Sequence, residues 1–493
     1  PYVDVRGSFN SLIPNSISPK LKIKLLKFYL KKLSQNFHLH DKAEFDIMFT
    51  CYDFSLDLRL KELLKFNFTK KEIEQIKTYL LSFTNNLLLE FPNIVQKSNS
   101  SINKMTQNRN HILNKTKFDK NYKFLLESAQ FLLVDCKNLG TLYFSTMARI
   151  AFIASILLKS LKSRDLITNK FYEDFMYSIE SPLSEIQDDY NKIHEKLLTK
   201  KKFLKKYGHL RPGTYDITAL RYDMENSFFE NINFSPYKKN THSELKIPDI
   251  SKILQKHKIC LNANELFDFI KNSLILREKL KFEFTKNLSD AIELIAQSGM
   301  NLGFSRKELS NLEINDIFRK QTNKNNLVTF WKTKIKKNQT KKEISQNLIL
   351  PPIISSKKNF EIIEYGWTKP NFITSKTITA NLHYLDSDNT SNDLKGKIIL
   401  IENADPGYDW IFTKKPAGLI TKYGGIASHM SIRCAELKLP AAIGCGELLF
   451  EKLINSTKIL LDCTNTQIII LQHNTNDEYL EEKKLLKSLG YIK

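Results

Sequence analysis

Apolar residues recur at three- and four-residue spacing through the first two thirds of the chain. This spacing predicts helices over four segments, 21–33, 71–89, 144–161 and 288–295. Glycine and proline are sparse in this part of the sequence, as long helices require. Stretches rich in Asn, Ser and Thr near 98–110 and 235–245 predict surface connections between the helices.

The pattern changes after about residue 345, where Pro351-Pro352 and the residues that follow predict a linker. Short β-rich runs come next, at 397–402, 417–421, 440–444, 458–462 and 467–471. Two predicted helices alternate with them, at 406–413 and 428–438, which is typical of a compact α/β unit. We therefore expect a multidomain protein with a large, mostly α-helical domain over 1–345, a linker over 346–372 and an α/β domain over 373–493.

The charge balance is strongly basic, with 75 Lys+Arg against 53 Asp+Glu in 493 residues and a formal net charge of +22. Such a balance suits nucleic acid, a membrane surface or an anionic substrate. A compositional bias toward Lys, Asn, Ile and Phe would produce the same excess of positive charge without any anionic partner. We interpret the lysine runs at 200–206 and 332–342 as solvated helix faces or loops, and we expect no nucleic-acid partner.

The six cysteines form no CxxC pair, which argues against a disulfide framework and against a zinc site. We expect no metal site. The sequence shows no signal peptide and no apolar run of the ~18 residues that a bilayer requires. The longest apolar stretch, 148–158, contains Arg149. These features predict a cytoplasmic protein with free thiols and no membrane contact.

The most informative chemistry lies in the α/β part. A predicted strand ends at Thr421, and Gly424 and Gly425 allow a tight loop with close backbone approach. Ser428 can cap the following helix, which puts His429 in the first turn, exposed at the helix N-terminus. Backbone N–H groups and the helix dipole favour a phosphoryl group there. Because imidazole is a nucleophile toward phosphorus and a good leaving group, the pattern predicts a histidine that accepts and passes on phosphate.

The segment resembles the phosphohistidine domain of phosphoenolpyruvate-utilising enzymes, whose pattern is roughly T-x-x-G-G-x-x-S-H-x-A-I-x-A-R-E-L-G-I-P-A-x-x-G. The matching residues are Thr421, Gly424, Gly425, Ser428, His429, Ile432, Glu436, Leu437, Pro440, Ala441 and Gly444. Ser431 replaces an alanine, Ala435 an arginine and Lys438 a glycine. Arg433 is a candidate substitute for the missing arginine, which would neutralise the phosphate. The resemblance implies a swivelling domain in which His429 carries the phosphoryl group between distant sites.

A polar loop in the helical part is a second candidate site. His209, Arg211, Asp216 and Arg221 combine acid, base and phosphate-binding chemistry within Gly208–Asp223. The alternative is a helix-connecting loop that uses the same groups as caps and salt bridges. We favour an acceptor site.

This loop resembles the G-H-R-x-P-x-E-x-D motif in the helical acceptor domain of rifampicin phosphotransferases. Thr214 or Tyr215 stands where that motif has its glutamate, which predicts a different acceptor. In that family a nucleotide-binding domain comes first, followed by the acceptor domain and then the phosphohistidine domain.

A wider resemblance connects the chain with the L-glutamine kinases that begin phosphoramidate modification of bacterial capsular polysaccharide. The similar segments are 2–10, 208–223, 369–374 and 401–411. The resemblance implies that ATP pyrophosphorylates the histidine with release of AMP. Water then removes one phosphate, and the remaining phosphoryl group passes to the amide nitrogen of L-glutamine.

An amide nitrogen is a poor nucleophile, so a carboxylate or imidazole must polarise its N–H bond. Asp216 or His209 can do this. An arginine fork suits the carboxylate of the amino acid, and four candidates are left unranked: Arg6, Arg149, Arg211 and Arg221.

The sequence contains no GxxxxGK[ST] phosphate loop and begins with proline. We expect an N-terminal ATP-grasp domain outside this chain to hold ATP and Mg²⁺, so that the chain alone does not turn over ATP. Only 64 residues follow His429, too few for a pyruvate-binding barrel, and this favours the helical part as the acceptor domain. Two alternatives stay open: a phosphotransferase for an antibiotic or another small molecule, and a non-catalytic basic protein that binds nucleic acid.

Overall fold

The computed structural model describes residues 3–179, 185–211, 213–224, 246–321, 323–346, 353–354, 370–385, 394–425 and 428–473. These residues belong to two compact units, one formed by residues up to 354 and the other by residues from 370 onward. The first unit is mostly helical, and the second is built on a β-sheet flanked by helices. The predicted order of a helical part followed by an α/β part is confirmed.

The α-helices of the first unit are α1 Val5–Leu12, α2 Pro19–Gln35, α3 Leu56–Leu60, α4 Lys70–Thr116, α5 Tyr122–Asp135, α6 Leu142–Ser163, α7 Asn169–Tyr177, α8 Glu185–His194, α9 Lys200–Tyr207, α10 Ser251–Lys256, α11 Ala263–Asn301, α12 Arg306–Leu309, α13 Ile314–Ile317 and α14 Lys324–Gln346. Short 3₁₀ segments at Phe37–Lys42 and Lys61–Phe66 connect some of them. Single π-helical turns lie at Ala43–Ile47 and Cys136–Thr141.

The two longest helices begin with reciprocal caps. In α4 the Thr69 side chain accepts from the backbone N–H of Glu72, whose carboxylate accepts from the N–H of Thr69. Asn262 and Glu265 make the same arrangement at the start of α11. Each cap satisfies backbone donors that no helix can satisfy internally. Helix α11 is buried along most of its length and packs on α5 and α6, so it forms the centre of this unit.

The predicted surface connection at 98–110 is wrong, because these residues lie inside α4. Ser98 donates its hydroxyl to the carbonyl of Ile94, and Ser101 donates to the carbonyl of Leu139. Both serines are buried beside Ile102. Packing against the π-helical turn overrides the weak helix propensity of this polar stretch. The other predicted connection, 235–245, lies outside the described residues.

One helical stretch, Tyr122–Ser163, is long and apolar enough by length and composition to cross a membrane, with a mean hydropathy of 1.6 in its best window. The central helix of a water-soluble unit passes the same test, and 44% of this window is buried inside the protein. Leu125, Ala129 and Leu132 are fully buried and pack with residues of α11. Internal packing therefore accounts for much of its apolar character.

The second unit contains one sheet whose strands are β1 Asn371–Ile373, β2 Thr377–Tyr384, β3 Ile398–Asn403, β4 Gly418–Tyr423, β5 Ala441–Ile443, β6 Ser456–Asp462 and β7 Gln467–His473. Their spatial order is β1-β5-β4-β3-β2-β6-β7. Strands β2 to β5 are mutually parallel, whereas β1, β6 and β7 join in antiparallel fashion. A 3₁₀ segment, Pro406–Lys414, and two helices, α15 His429–Glu436 and α16 Glu447–Ile454, complete the unit.

Helices cover both faces of this sheet. On strand β3, Ile399 packs with Met430 of α15 on one face, and Ile398 packs with Phe450 of α16 on the other. Burial on both faces explains why these strands are continuous apolar runs in the sequence. The loops after β3 and β4 leave the carboxyl edge of the parallel strands, where ligands bind in sheets of this kind.

All five predicted strands are present within one or two residues. The sequence analysis did not predict β1, β2 or α16. These elements are short, or their apolar and polar residues alternate only weakly. Helix α14 reaches Gln346, and β1 begins at Asn371, so both ends of the predicted linker belong to regular elements. Most of the linker lies outside the described residues.

Candidate active site

The loop between β4 and α15 is fixed by hydrogen bonds from both sides. Thr421 is fully buried near the end of β4, and its hydroxyl accepts from the backbone N–H of Gly444 at 3.0 Å. Gly424 has φ +134°, and a Cβ there would lie 2.6 Å from the Cβ of Ala404. The carbonyl of Gly425 accepts from the backbone N–H of Ser428 at 2.9 Å. The two glycines therefore allow the backbone approach that the sequence predicts.

Helix α15 begins at His429, and Ser428 is its N-cap. The Ser428 hydroxyl accepts from the backbone N–H of Ser431 at 3.3 Å, which satisfies one of the orphan donors at the helix start. The Ser431 hydroxyl donates to the carbonyl of Gly425 at 3.0 Å. Ser431, which stands where the family pattern has alanine, therefore connects the helix to the glycine loop through this hydrogen bond.

His429 is buried with 1% of its surface exposed, so the prediction of an exposed histidine is wrong. The 3₁₀ segment packs against α15 and brings Asp409 to the ring. Nε2 of His429 lies 2.8 Å from Oδ1 of Asp409. This distance is that of a hydrogen bond between the imidazole ring and the carboxyl group.

Sequence reasoning missed Asp409. The residue lies within the segment 401–411 used for the wider resemblance, yet a separation of 20 residues carries no signal of contact. A polar side chain inside the apolar run Tyr408–Phe412 is the one local hint, since that run is otherwise suited to packing on the sheet.

Arg433 lies in the same buried group with 2% of its surface exposed. Its Nη1 donates to Oε2 of Glu436 at 2.5 Å, and its Nε lies 3.6 Å from Oδ1 of Asp409. Burial alone lowers the pKa of Arg433, but the carboxylates of Glu436 and Asp409 outweigh it and raise that pKa overall. The structure brings Arg433 close to the candidate site, with its guanidinium already held by a carboxylate. Its role in neutralising a phosphate stays a prediction.

In the helical unit, the predicted acceptor loop lies along α11. Arg211 is 2% exposed, and its Nη2 donates to Oγ of Ser289 and Oε1 of Glu293, both at 2.9 Å. Arg221 donates to Oδ1 of Asp290 at 2.6 Å. These two guanidinium groups are held by carboxylates of the central helix, which favours the salt-bridge alternative for them.

His209 has a different environment. It is 6% exposed, and its Nε2 has no hydrogen-bond partner among the described residues. Burial, followed by the charges of Lys286 and Arg221, holds its pKa well below the usual value, so this imidazole is neutral. Asp216 has a local role, because its Oδ1 accepts from the backbone N–H of Thr218 at 2.8 Å.

The two remaining arginine candidates are elsewhere in this unit. Arg149 donates to the carbonyls of Ser11 and Leu12 at 3.3 and 2.9 Å, at the end of the helix that carries the exposed Arg6. In the part of the chain that the structure describes, no hydrogen bond or ion pair connects them to His209. The same part contains no group of three or more His, Cys, Asp or Glu residues that could hold a metal ion.

Replacing Gly444 with alanine is expected to destabilise the C-terminal unit more than replacing Gly396. The two residues have φ +73° and +69°, so the backbone cost of a side chain is the same, about 1–2 kcal/mol. A Cβ at Gly444 would lie 2.3 Å from the carbonyl oxygen of Gly424, whereas one at Gly396 meets nothing within 4 Å. The glycine loop must move, and we expect an additional loss of about 1–3 kcal/mol. Urea unfolding of both variants measures the difference, and equal losses would contradict the tight contact.

Comparisons with known proteins relate part of the chain to PEP-utilising enzymes. Residues 394–466 match the family model described as "PEP-utilising enzyme, mobile domain". Over 104 residues the chain is 35% identical to the phosphoenolpyruvate-protein phosphotransferase of Buchnera aphidicola subsp. Schizaphis graminum (strain Sg). The similar region covers 21% of this chain and 18% of that relative, so the chain matches less than a fifth of the relative's length. The unit that carries His429 is therefore similar to the mobile domain of PEP-utilising enzymes.

Proposed function

We propose that this chain is the acceptor and carrier part of an ATP-dependent phosphotransferase in which His429 carries the phosphoryl group. The main support is the position of His429. It is the first residue of a capped helix, it follows a glycine loop at the carboxyl edge of parallel strands, and it lies within the matched mobile domain.

The chemistry follows from this position. A ring nitrogen of His429 forms the N–P bond while the P–O bond of the donor breaks, and the bonding electrons leave with the donor oxygen. The first-turn N–H groups of α15 and its positive dipole end stabilise the transferred group. Thr421 and Gly444 keep the loop in place through their hydrogen bond. The resemblance to a mobile domain supports movement of this unit between the donor and acceptor sites.

For the acceptor, we propose the amide nitrogen of L-glutamine, bound by the helical unit. The supporting observation is His209, a buried neutral imidazole whose Nε2 has no partner among the described residues. A neutral imidazole can accept the amide proton as the N–P bond forms. Carboxylates hold Arg211 and Arg221, so we assign recognition of the amino acid carboxylate to neither of them.

Incubation with ATP, Mg²⁺ and L-glutamine tests the acceptor, using the chain together with an ATP-grasp domain that supplies the phosphoryl group. Phosphorus NMR is expected to show a phosphoramidate resonance together with AMP and phosphate. AMP and phosphate without that resonance would exclude glutamine and leave the carrier in place. A screen of other small-molecule acceptors would then follow. Removal of His209 in a His209→Gln variant is expected to reduce the phosphoramidate yield at least about 100-fold, without lowering phosphohistidine formation.

Nucleic acid is a weaker candidate despite the charge of +22. Part of the lysine-rich helix α9 is used internally, because Lys206 pairs with Glu185 at 2.5 Å and with Asp189 at 2.8 Å. Nucleic-acid binding that is steeply salt-dependent and unchanged in a His429→Gln variant would favour it.

A further inference from the structure

One face of the central helix α11 packs against His209. The His209 ring lies edge-on to the ring of Phe282, with centroids 4.8 Å apart, and the hydroxyl of Ser289 donates to the carbonyl of His209 at 2.7 Å. Lys286 lies between these two residues on the same helix face, and its ammonium group is 4.7 Å from the centroid of the Phe282 ring. These contacts place Lys286 beside the imidazole.

Helix α4 brings Arg109 to the same group of side chains. Its Nη1 lies 3.7 Å from Oδ2 of Asp290, a distance too long for a hydrogen bond. The other oxygen of Asp290, Oδ1, accepts from Arg221 at 2.6 Å. The Nε atom of Arg109 is buried and has no hydrogen-bond partner among the described residues. Arg109 is therefore a guanidinium that its neighbours hold only weakly.

The effects of these cations on each other confirm that they lie close together. Burial lowers the pKa of His209, followed by the charge of Lys286 and then by arginines that include Arg109. Burial also lowers the pKa of Lys286, and although the carboxylate of Glu283 opposes this shift, Arg109 adds to it. Both groups thus lie in surroundings with more positive charge than the nearby carboxylates offset.

A count of charges around His209 gives the same result. The cations that act on it, together with one that shares a carboxylate with them, are Arg109, Arg211, Arg221, Lys286 and Arg306. The carboxylates paired with these five cations are four in number: Asp223, Asp290, Glu283 and Glu293. Asp216 of the same loop is exposed and accepts from Thr218. One positive charge is therefore left without a matching carboxylate in the described part of this group.

The remaining charges nearby are matched among themselves. The pairs are Arg277 with Glu278, Lys192 with Asp189, Lys206 with Glu185 and Lys104 with Asp135. None of these pairs changes the net charge beside the imidazole. The excess therefore belongs to the group that contains Arg109 and Lys286.

We propose that Arg109 and Lys286 form a binding site, beside His209, for an anion of the carboxylate or phosphoryl class. In the proposed function, this anion is the carboxylate of the acceptor or the phosphoryl group transferred to it. The inference rests on that function only for the identity of the anion.

The chemistry of the site suits such a ligand. Guanidinium and ammonium groups donate charge-assisted hydrogen bonds to anionic oxygens. The side chains of Arg109 and Lys286 each have 15% of their surface exposed, so an anion can reach them from solvent. Because buried polar atoms are nearly always hydrogen-bonded, the two buried nitrogens without a partner, Nε of Arg109 and Nε2 of His209, also indicate a ligand.

Binding of an anion here also affects the proton transfer proposed for His209. A negative charge beside the imidazole offsets the surrounding cations and raises the pKa of His209. The ring then accepts the proton of the acceptor more readily, as the N–P bond forms. The site thus increases the basicity of His209 when a ligand is bound.

NMR of the full chain, labelled with ¹⁵N-histidine and titrated with inorganic phosphate, tests the site. A His209→Gln variant assigns the resonance of His209, which is expected to shift in a saturable way in the wild type. Arg109→Met removes the guanidinium and keeps an unbranched apolar side chain, and it is expected to weaken phosphate binding at least about tenfold. Lys286→Met removes the second cation from a different helix and is expected to have an effect of the same size.

Lys97→Met is the matched control, because it removes a positive charge from an exposed position of the same helix α4. This variant is expected to bind phosphate as the wild type does. A wild-type His209 resonance that does not respond to phosphate would overturn the proposal, and so would wild-type affinity in Arg109→Met or Lys286→Met. Thermal unfolding checks that each variant is folded, and one folded variant of the two is sufficient for the comparison.

A second titration distinguishes the two sources of the anion. Phosphate is added again in the presence of saturating L-glutamine. A higher phosphate concentration at half-saturation would show that glutamine competes, which supports the site as the one that holds the acceptor carboxylate. An unchanged phosphate affinity supports the site as the one that holds the phosphoryl group.

These titrations need no phosphoryl donor, so they separate the anion site from the proposed function. A phosphoramidate product formed with ATP, without any response of His209 to either ligand, would overturn the anion site and leave the function in place. A response that is lost in Arg109→Met, without any phosphohistidine formed from ATP, would support the anion site and overturn the proposed function. Phosphate bound near His429 is detected at the resonance of that histidine and does not contribute to the signal of His209.

Discussion

Glutamine in place of His429 is expected to reduce phosphoryl uptake by this protein to background, a loss of at least about 10³-fold. Glutamine is similar in reach to histidine, and its side-chain amide can still donate to Oδ1 of Asp409. It offers no nucleophilic nitrogen, because the amide lone pair is delocalised. The substitution keeps the buried contact with Asp409 and removes the nucleophile. The loss of phosphoryl uptake therefore reports on the transfer step, because the fold is expected to persist.

The measurement is the incorporation of acid-labile label from ATP carrying ³²P in its β-phosphate, in the chain together with an ATP-grasp domain that supplies the phosphoryl group. His383→Gln is the matched control, since it changes a histidine of strand β2 in the same unit. The control is expected to incorporate label at the wild-type level. Acid-labile label that persists in His429→Gln would place the carrier on another residue. Thermal unfolding of both variants checks that neither has lost its fold.

The local part of the carrier site was predictable because it is encoded within about 25 consecutive residues. A strand that ends near Thr421, two glycines, a capping Ser428 and a first-turn His429 each follow from neighbours in sequence. The structure has this order, with the helix beginning at His429.

The environment of the histidine was not predictable in the same way. Its burial depends on the 3₁₀ segment Pro406–Lys414, which folds back over α15. The contact with Asp409 spans 20 residues, and neither helix periodicity nor motif spacing carries information over that distance. The residue predicted to be exposed is therefore buried against a carboxylate that lies far from it in sequence.

In the helical part, the observed long-range contacts were not visible in the sequence. The loop around Arg211 fitted both an acceptor site and a salt-bridged connection. Glu293, whose carboxylate accepts from Arg211, lies 82 residues further along the chain. Similarly, the polar run at 98–110 predicted a surface connection, whereas packing holds it inside α4. Composition alone does not distinguish a solvated serine from one that donates into a neighbouring helix.

The Glu293 side chain provides the second large expected effect. Its carboxylate accepts from Arg211 at 2.9 Å and also forms an ion pair with the guanidinium of Arg306. Arg211 has 1% of its side chain exposed and Glu293 has 7%. Replacement by alanine would leave a buried guanidinium without its carboxylate. Removal of one partner of a buried pair costs about 3–5 kcal/mol, so Glu293→Ala is expected to lower the free energy of unfolding of the helical unit by that amount.

Urea unfolding followed by circular dichroism at the helical band measures this loss, because the helical unit dominates that signal. The matched control is Glu62→Ala, which removes a carboxylate that is 37% exposed and pairs with Lys32 at 2.8 Å. Exposed pairs contribute about 0–1 kcal/mol, so the control is expected to stay within that range. If Glu293→Ala lowers the free energy of unfolding no more than Glu62→Ala does, then the contact between Arg211 and Glu293 does not stabilise the fold. The guanidinium of Arg211 would then return as a candidate for binding the acceptor carboxylate.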